Sequence, residues 1–144
     1  MSTQEICDAI PHRSPMLLVD EIVERSDERI VCRKIIREDE FFLQGHYPDF
    51  PIVPGVILCE VGMQAGAILL SRLVADGEGV PIATRLNDVK FKKMVKSGDT
   101  VESEVVLDER LAGTFFLSAK LTVGGKLVAR FSFACSMASP QFPV

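Results

Sequence analysis

The chain contains two histidines, His12 and His46, one tyrosine, Tyr47, and no tryptophan. Chemistry that needs an imidazole therefore has two sources. His46 is the more constrained. It opens the stretch His46-Tyr47-Pro48-Asp49-Phe50-Pro51-Ile52-Val53-Pro54-Gly55, where Pro48, Pro51 and Pro54 fix much of the backbone. Such stiffness makes sense where an imidazole must point in one direction. An ordinary surface turn is the alternative.

Glu60 is the second chemical signal. It is the lone charged residue between Ile52 and Ser71, in the most apolar stretch of the chain. Burial without a partner favours the neutral form of a carboxyl group, and a neutral carboxylic acid can donate a proton. Gln64 lies one helical turn later and can hydrogen-bond Glu60. The competing reading is a Glu60 that faces outward or pairs with a structural cation. No Lys or Arg lies between Arg37 and Arg72, so that cation would come from elsewhere in the fold or from another chain.

Gly55 is the third. At a helix start its N–H has no carbonyl partner four residues back, and the helix dipole places partial positive charge there. Lacking a Cβ, it lets a substrate carbonyl approach. A glycine that merely packs tightly remains the alternative. A base, a neutral acid and an oxyanion site together suit proton removal beside a carbonyl with loss of a β-hydroxyl. His46 takes the α-proton, Gly55 stabilises the enolate-like oxygen and Glu60 protonates the departing hydroxyl. No metal or redox cofactor is called for, and apolar walls would suit an acyl chain.

The elements that must position these residues follow from length and pattern. A chain of 144 residues, 47% hydrophobic and 25% charged, is one ordinary globular domain. Its net charge of −4 argues against a general nucleic-acid binder. Cys7, Cys32, Cys59 and Cys135 form no C-x-x-C pair, which argues against a zinc site. They suit small buried hydrophobes in a reducing compartment. Met1 to Glu5 shows no basic segment before an apolar run, so the reading predicts a cytoplasmic protein without a signal peptide. The apolar stretch 52–71 is long enough to cross a bilayer. Pro54, Gly55, Gly62, Gly66 and Glu60 argue instead for the buried helix of a soluble domain.

Ser2-Thr3-Gln4-Glu5 fits a capping box and predicts a helix over residues 3–9, stopped by Pro11 and Pro15. Strands are expected over 16–24 and 28–37, with a turn at Ser26-Asp27. Residues 38–53 read as a constrained loop. The central helix is expected from near Pro54, at the first helical position, to about Ala75, ending at Gly77. Further strands are expected over 81–93, 100–108, 114–123 and 126–137, with Gly124-Gly125 as a hairpin turn and a frayed tail over 139–144. One apolar helix and about six strands joined mainly by hairpins imply an α+β fold, a curved antiparallel sheet wrapped around the helix. Its edges would be open to a dimer partner.

At these residues the sequence resembles the (3R)-hydroxyacyl-acyl-carrier-protein dehydratases of type II fatty acid synthesis, which have the hot-dog fold. The signature G-H-[FY]-P-x-x-P-x-x-P-G-V, with Glu five residues after the last glycine and Gln four further on, is met by Gly45-His46-Tyr47-Pro48, Pro51, Pro54-Gly55-Val56, Glu60 and Gln64. Pro11-His12-Arg13-x-Pro15-x-Leu17-Leu18-Val19-Asp20, Asn87-Asp88-Val89-Lys90-Phe91 and Gly98-Asp99 also match. The resemblance covers about residues 5–137. It implies His46 and Glu60 as the catalytic pair, with Gly55, Val56, Gln64, Tyr47 and Pro54 at the substrate, and no metal or cofactor.

The resemblance also implies edge-to-edge homodimers, often three to a hexamer, with His46 of one subunit facing Glu60 of the other. The partner is an acyl carrier protein bearing the substrate, and glutamate at position 60 resembles the dehydratase-only branch. A hot-dog acyl-thioesterase, with Glu60 activating water, and a non-catalytic acyl-binding protein are the alternatives. Asp49 stands where the family usually has glycine, Met63 where it has alanine and Ile82-Ala83 where it has an aromatic pair. Met94 and Ser97 stand for two prolines, and Arg85 for a small residue. Met63 is expected to narrow the acyl tunnel. His12 reads as structural, with no acid at useful spacing. Lys90, Lys92, Lys93 and Lys96 form either a solvated strand face or a dock for the acidic carrier protein.

Overall fold

Apolar residues alternate along the later strands and run nearly unbroken through the central helix. The computed structural model, which describes residues 3–74 and 79–138, shows how they meet. Helix α1 spans Thr3–Ala9, and strands β1 and β2 span Glu21–Arg25 and Arg29–Ile35. A single 3₁₀ turn covers Phe41–Leu43, and the central helix α2 covers Gly55–Leu70. Strands β3 to β6 span Val80–Phe91, Thr100–Leu111, Thr114–Val123 and Lys126–Ala138. All neighbours pair antiparallel, in the order β1-β2-β4-β5-β6-β3. The sheet closes around α2 as expected for a hot-dog fold.

The inward faces of β5 and β6 bury Phe115, Leu117, Ala119, Leu121, Phe131 and Phe133 against the helix. Close packing there depends on glycine. A Cβ on Gly62 would stand 2.6 Å from Phe131 Cζ and 3.2 Å from Leu121 Cδ1. One on Gly66 would stand 2.6 Å from Phe133 Cζ. The helix thus lies directly on two buried rings.

Several boundaries differ from the sequence reading, each for a local reason. Strand β1 starts at Glu21 rather than Met16: Met16 and Leu17 donate to the Arg13 carbonyl in a turn, at 2.9 and 3.1 Å. The N–H of Leu18 and the carbonyl of Met16 bond the Gln64 side chain instead of a strand. Pro54 caps α2 rather than entering it, its carbonyl accepting from Ile57 at 2.9 Å and Leu58 at 3.2 Å. The helix ends at Leu70 instead of Ala75. The Ile68 carbonyl there accepts from the Ser71 hydroxyl at 2.6 Å and Arg25 Nη2 at 2.5 Å, so the terminal turn is satisfied by side chains. Burial lowers the pKa of Arg25. The expected stop at Gly77, the Ser2 cap and the 139–144 tail lie outside the described residues. Strand β2 stops at Ile35, two residues early, where Asp20 takes over its backbone N–H at 2.7 Å. Strand β3 starts one residue early and ends two early, at Phe91. Strand β4 runs three residues further, past a bulge between Leu107 and Glu109, and β6 runs one further. Strand β5 and helix α1 match the expected spans.

Gly62→Ala and Gly66→Ala should each destabilise the protein. Overpacking a fixed ring costs about 1–3 kcal/mol, and the gain in helix propensity of about 1 kcal/mol offsets part of it. Urea denaturation should show a net loss of up to about 2 kcal/mol for each, with Gly55→Ala less affected because its neighbour Phe91 is 52% exposed and free to move.

Candidate active site

The loop before α2 is built on reciprocal main-chain bonds. Ile52 N–H donates to the His46 carbonyl at 2.9 Å, while Tyr47 and Phe50 exchange bonds of 3.2 and 3.0 Å. Prolines at 48, 51 and 54 fall where no donor is needed. Val53 N–H, at 2.7 Å from the Val95 carbonyl, anchors the loop to the segment after β3. The His46–Tyr47 peptide is cis, as is Ser14–Pro15. Among the described non-glycine residues only Asp88 and Ala112 have positive φ, so Asp49 keeps an ordinary negative φ where the family usually has glycine.

This loop fixes the chemistry of His46. Its Nδ1 lies 3.0 Å from the Ile52 carbonyl oxygen. A carbonyl can only accept, so Nδ1 carries the proton and Nε2 keeps a free lone pair. Tyr47, 53% exposed, stacks on the imidazole at 4.4 Å between centroids. His46 and Gly55 line one cavity of about 440 Å³ with Ile52, Leu58, Phe91 and Met94. The first turn of α2 opens into that space. Gly55 also packs tightly, since a Cβ would meet the Phe91 ring at 2.6 Å. Pro54 is half-buried as the helix cap, and Val56 is 75% exposed; neither lines this cavity.

Glu60 belongs to a second cavity of about 330 Å³, with His12, Met63, Gln64, Ala67, Ile82 and Ala83. The orientation of Gln64 is settled by backbone partners. Its Oε1 accepts from Leu18 N–H at 2.7 Å, and its Nε2 donates to the Met16 carbonyl at 2.8 Å. The remaining N–H therefore faces Glu60, reaching Oε2 at 2.8 Å. The side chain of Glu60 is 25% exposed, so this chain alone does not bury it. Met63, Ile82 and Ala83 line the wall beside the carboxyl.

Within one protomer the structure brings His46 to Gly55 and Glu60 to Gln64, but not His46 to Glu60. It also corrects the reading of His12. Its Nε2 stands 3.6 Å from Glu60 Oε2, so the second imidazole does have an acid beside it. Forty-eight residues of separation hid this contact, and only Pro11 and Pro15, fixing the backbone as around His46, hinted at it. Arg13 secures the segment by donating to the carbonyls of Ile10, His12 and Cys7. No group of three or more His, Cys, Asp or Glu among the described residues could hold a metal ion. No described helix is long and apolar enough to cross a membrane.

Charge divides the outer face of the sheet. Arg29 pairs with Glu24 and Glu104, and Arg33 with Glu21 and Glu102. On the other half Lys90, Arg130 and Lys120 stand side by side across β3, β6 and β5. They line a depression of about 400 Å³ together with Asp88, and Lys120 stands opposite Glu104 of β4. Lys96 differs, being paired with Asp99 at 3.3 Å.

Residues 10–132 match the FabA-like domain family. A Pseudothermotoga lettingae protein named 3-hydroxyacyl-[acyl-carrier-protein] dehydratase FabZ is 42% identical over 131 residues, covering 90% of this chain and 91% of its own. A Streptococcus pyogenes serotype M5 protein of the same name is 40% identical over 138 residues, covering 94% and 99%. Among solved structures, the dehydratase heterocomplex ApeI:P from Xenorhabdus doucetiae contains a chain that superposes with a TM-score of 0.81. It is 17% identical, with 94% and 91% of the two chains covered, a likeness of fold.

The thiol beside the Glu60 cavity gives a direct check on how dry that wall is. Burial pushes Cys135 up to about 11 and Cys32 up to about 12, and raises Cys59 as well. A raised thiol pKa means less thiolate, so at pH 8 only about one Cys135 in a thousand is ionised. Iodoacetamide at that pH should label the half-buried Cys7 first, and the three buried thiols only after denaturation, as mass spectrometry would show.

Proposed function

We propose that this chain, which belongs to the FabA-like domain family, dehydrates a (3R)-hydroxyacyl-[acyl-carrier-protein] to the trans-2-enoyl thioester in fatty acid biosynthesis. The observation that carries this reading is the pair of fixed polar groups. One is an imidazole whose Nε2 lone pair is left free by the Ile52 carbonyl, and the other is a carboxyl group held by Gln64. His46 Nε2 removes the α-proton as general base, and the electrons move onto the thioester oxygen. Gly55 N–H, at the positive end of α2, stabilises that oxygen. The electrons return to form the Cα–Cβ double bond as the β-hydroxyl leaves, taking the Glu60 proton to become water. His46 is left protonated and Glu60 ionised, and a proton passing from one to the other, or through solvent, restores both.

The two groups line different cavities of one protomer. We therefore assign each complete site to two copies, His46 from one and Glu60 from the other. Strand β3 ends the sheet with Ile82 and Leu86 exposed, which supports pairing of two copies along that edge. The second copy would also cover Glu60 and favour its neutral form. Lys90, Lys92 and Lys93, extended across the sheet by Arg130 and Lys120, form the dock for the acidic carrier protein. Lys96 is left out because Asp99 neutralises it. Four free cysteines suit the cytoplasm.

His46→Ala and Glu60→Gln should each lower turnover on the order of 10²–10⁴-fold, followed by enoyl absorbance on a 3-hydroxyacyl thioester. Wild-type turnover in either variant, or free thiol without enoyl product, would overturn the reading. Co-expressing the two variants should recover about a quarter of wild-type sites, because mixed dimers hold one intact His46–Glu60 pair; no recovery would place the site within one chain. Arg130→Glu with Lys120→Glu should raise KM for the carrier-bound substrate while leaving kcat/KM for a short N-acetylcysteamine thioester unchanged.

A further inference from the structure

One oxygen of Glu60 accepts a hydrogen bond from Gln64 and faces the ring of His12 at a longer distance. Gln64 Nε2 reaches Oε2 at 2.8 Å, and His12 Nε2 stands 3.6 Å from the same atom. The protonation of His12 follows from its other nitrogen. His12 Nδ1 is buried and has no hydrogen-bond partner among the described residues. A buried N–H without an acceptor is the more costly orphan, whereas a lone pair is more easily left unmatched. The hydrogen of the neutral ring therefore sits on Nε2 and points at Glu60. An oxygen that accepts from one N–H and faces a second is the disfavoured place for a proton of its own.

We infer that His12 is a positioning residue for Glu60: Gln64 bonds Oε2 and the His12 N–H faces the same atom, which assigns the acidic proton to Oε1, the oxygen left for the substrate. This rests on the reading of Glu60 as the general acid. Both groups are placed by one segment. Residues 10–18 present the His12 ring directly, and hold Gln64 through Met16 and Leu18. The segment is fixed in turn by Arg13, which donates to three carbonyls at the end of α1. A carboxyl gripped at one oxygen can neither rotate freely nor exchange its two oxygens, which keeps its proton aimed at one point.

His12→Phe should lower kcat roughly 10- to 100-fold with KM within about twofold. His12→Gln, whose terminal amide N–H reaches the position of Nε2, should restore most of the loss. Where the Phe variant fails to melt cooperatively, His12→Ala replaces it with the same expected pattern. A role through Glu60 also requires non-additivity. In a Glu60→Asp background, where the shortened carboxyl withdraws from the ring, adding His12→Phe should cost less than about twofold. A wild-type kcat in His12→Phe, equal losses in the Phe and Gln variants, or a full additive loss in the Asp background would overturn the inference. These outcomes are distinct from failure of the parent reading, which shows as wild-type turnover in Glu60→Gln.

Discussion

A buried amide side chain has to be satisfied on every side, and Gln64 is 1% exposed. Its carbonyl and one N–H are committed to the backbone of Leu18 and Met16, which leaves a single donor. That donor meets Glu60. Removing the side chain would orphan a buried N–H and a carbonyl, each costing about 1–3 kcal/mol. The same bonds that attach the N-terminal segment to the central helix thus orient the carboxyl. Stability and chemistry share these contacts, so the acid cannot be loosened without loosening the fold.

The helix serves two ends at once. Its glycines let it sink onto Phe131 and Phe133, which sets its depth in the sheet. Its first turn looks into the cavity of His46, and its second turn places Glu60 in the other. Five residues of helix turn the two positions well away from each other, so within one copy they open into separate cavities. The packing that holds each cavity comes from this chain alone.

Much of this was legible in the sequence. Strand-favouring residues and the Gly124-Gly125 turn located β5 and β6, and the unbroken apolar run located α2. Proline spacing around His46, with Glu60 and Gln64 in register, exposed the polar residues of both cavities. What escaped was set by contacts between distant segments. The end of α2 depends on Arg25, which reaches Ile68 from a strand 43 residues away. The late start of β1 depends on one side chain of that helix and on a turn closed by Arg13. The neighbourhood of His12 depends on how segment 10–18 folds across the helix face, which no local pattern encodes. The tautomer of His46 needed coordinates too, because the partner is a carbonyl that every residue type possesses.

The carbonyl and N–H of residue 52 also govern how the loop tolerates drift. Main-chain atoms at position 52 both hold the loop and set the imidazole, so the identity of the side chain there is free to change within the limits of packing. Proline alone among the common residues is barred on bonding grounds. It would keep the carbonyl that faces the ring but delete the N–H on which the carbonyl of His46 relies. In a loop already crowded with that amino acid, the one neighbour it must never become is a repeat of those beside it.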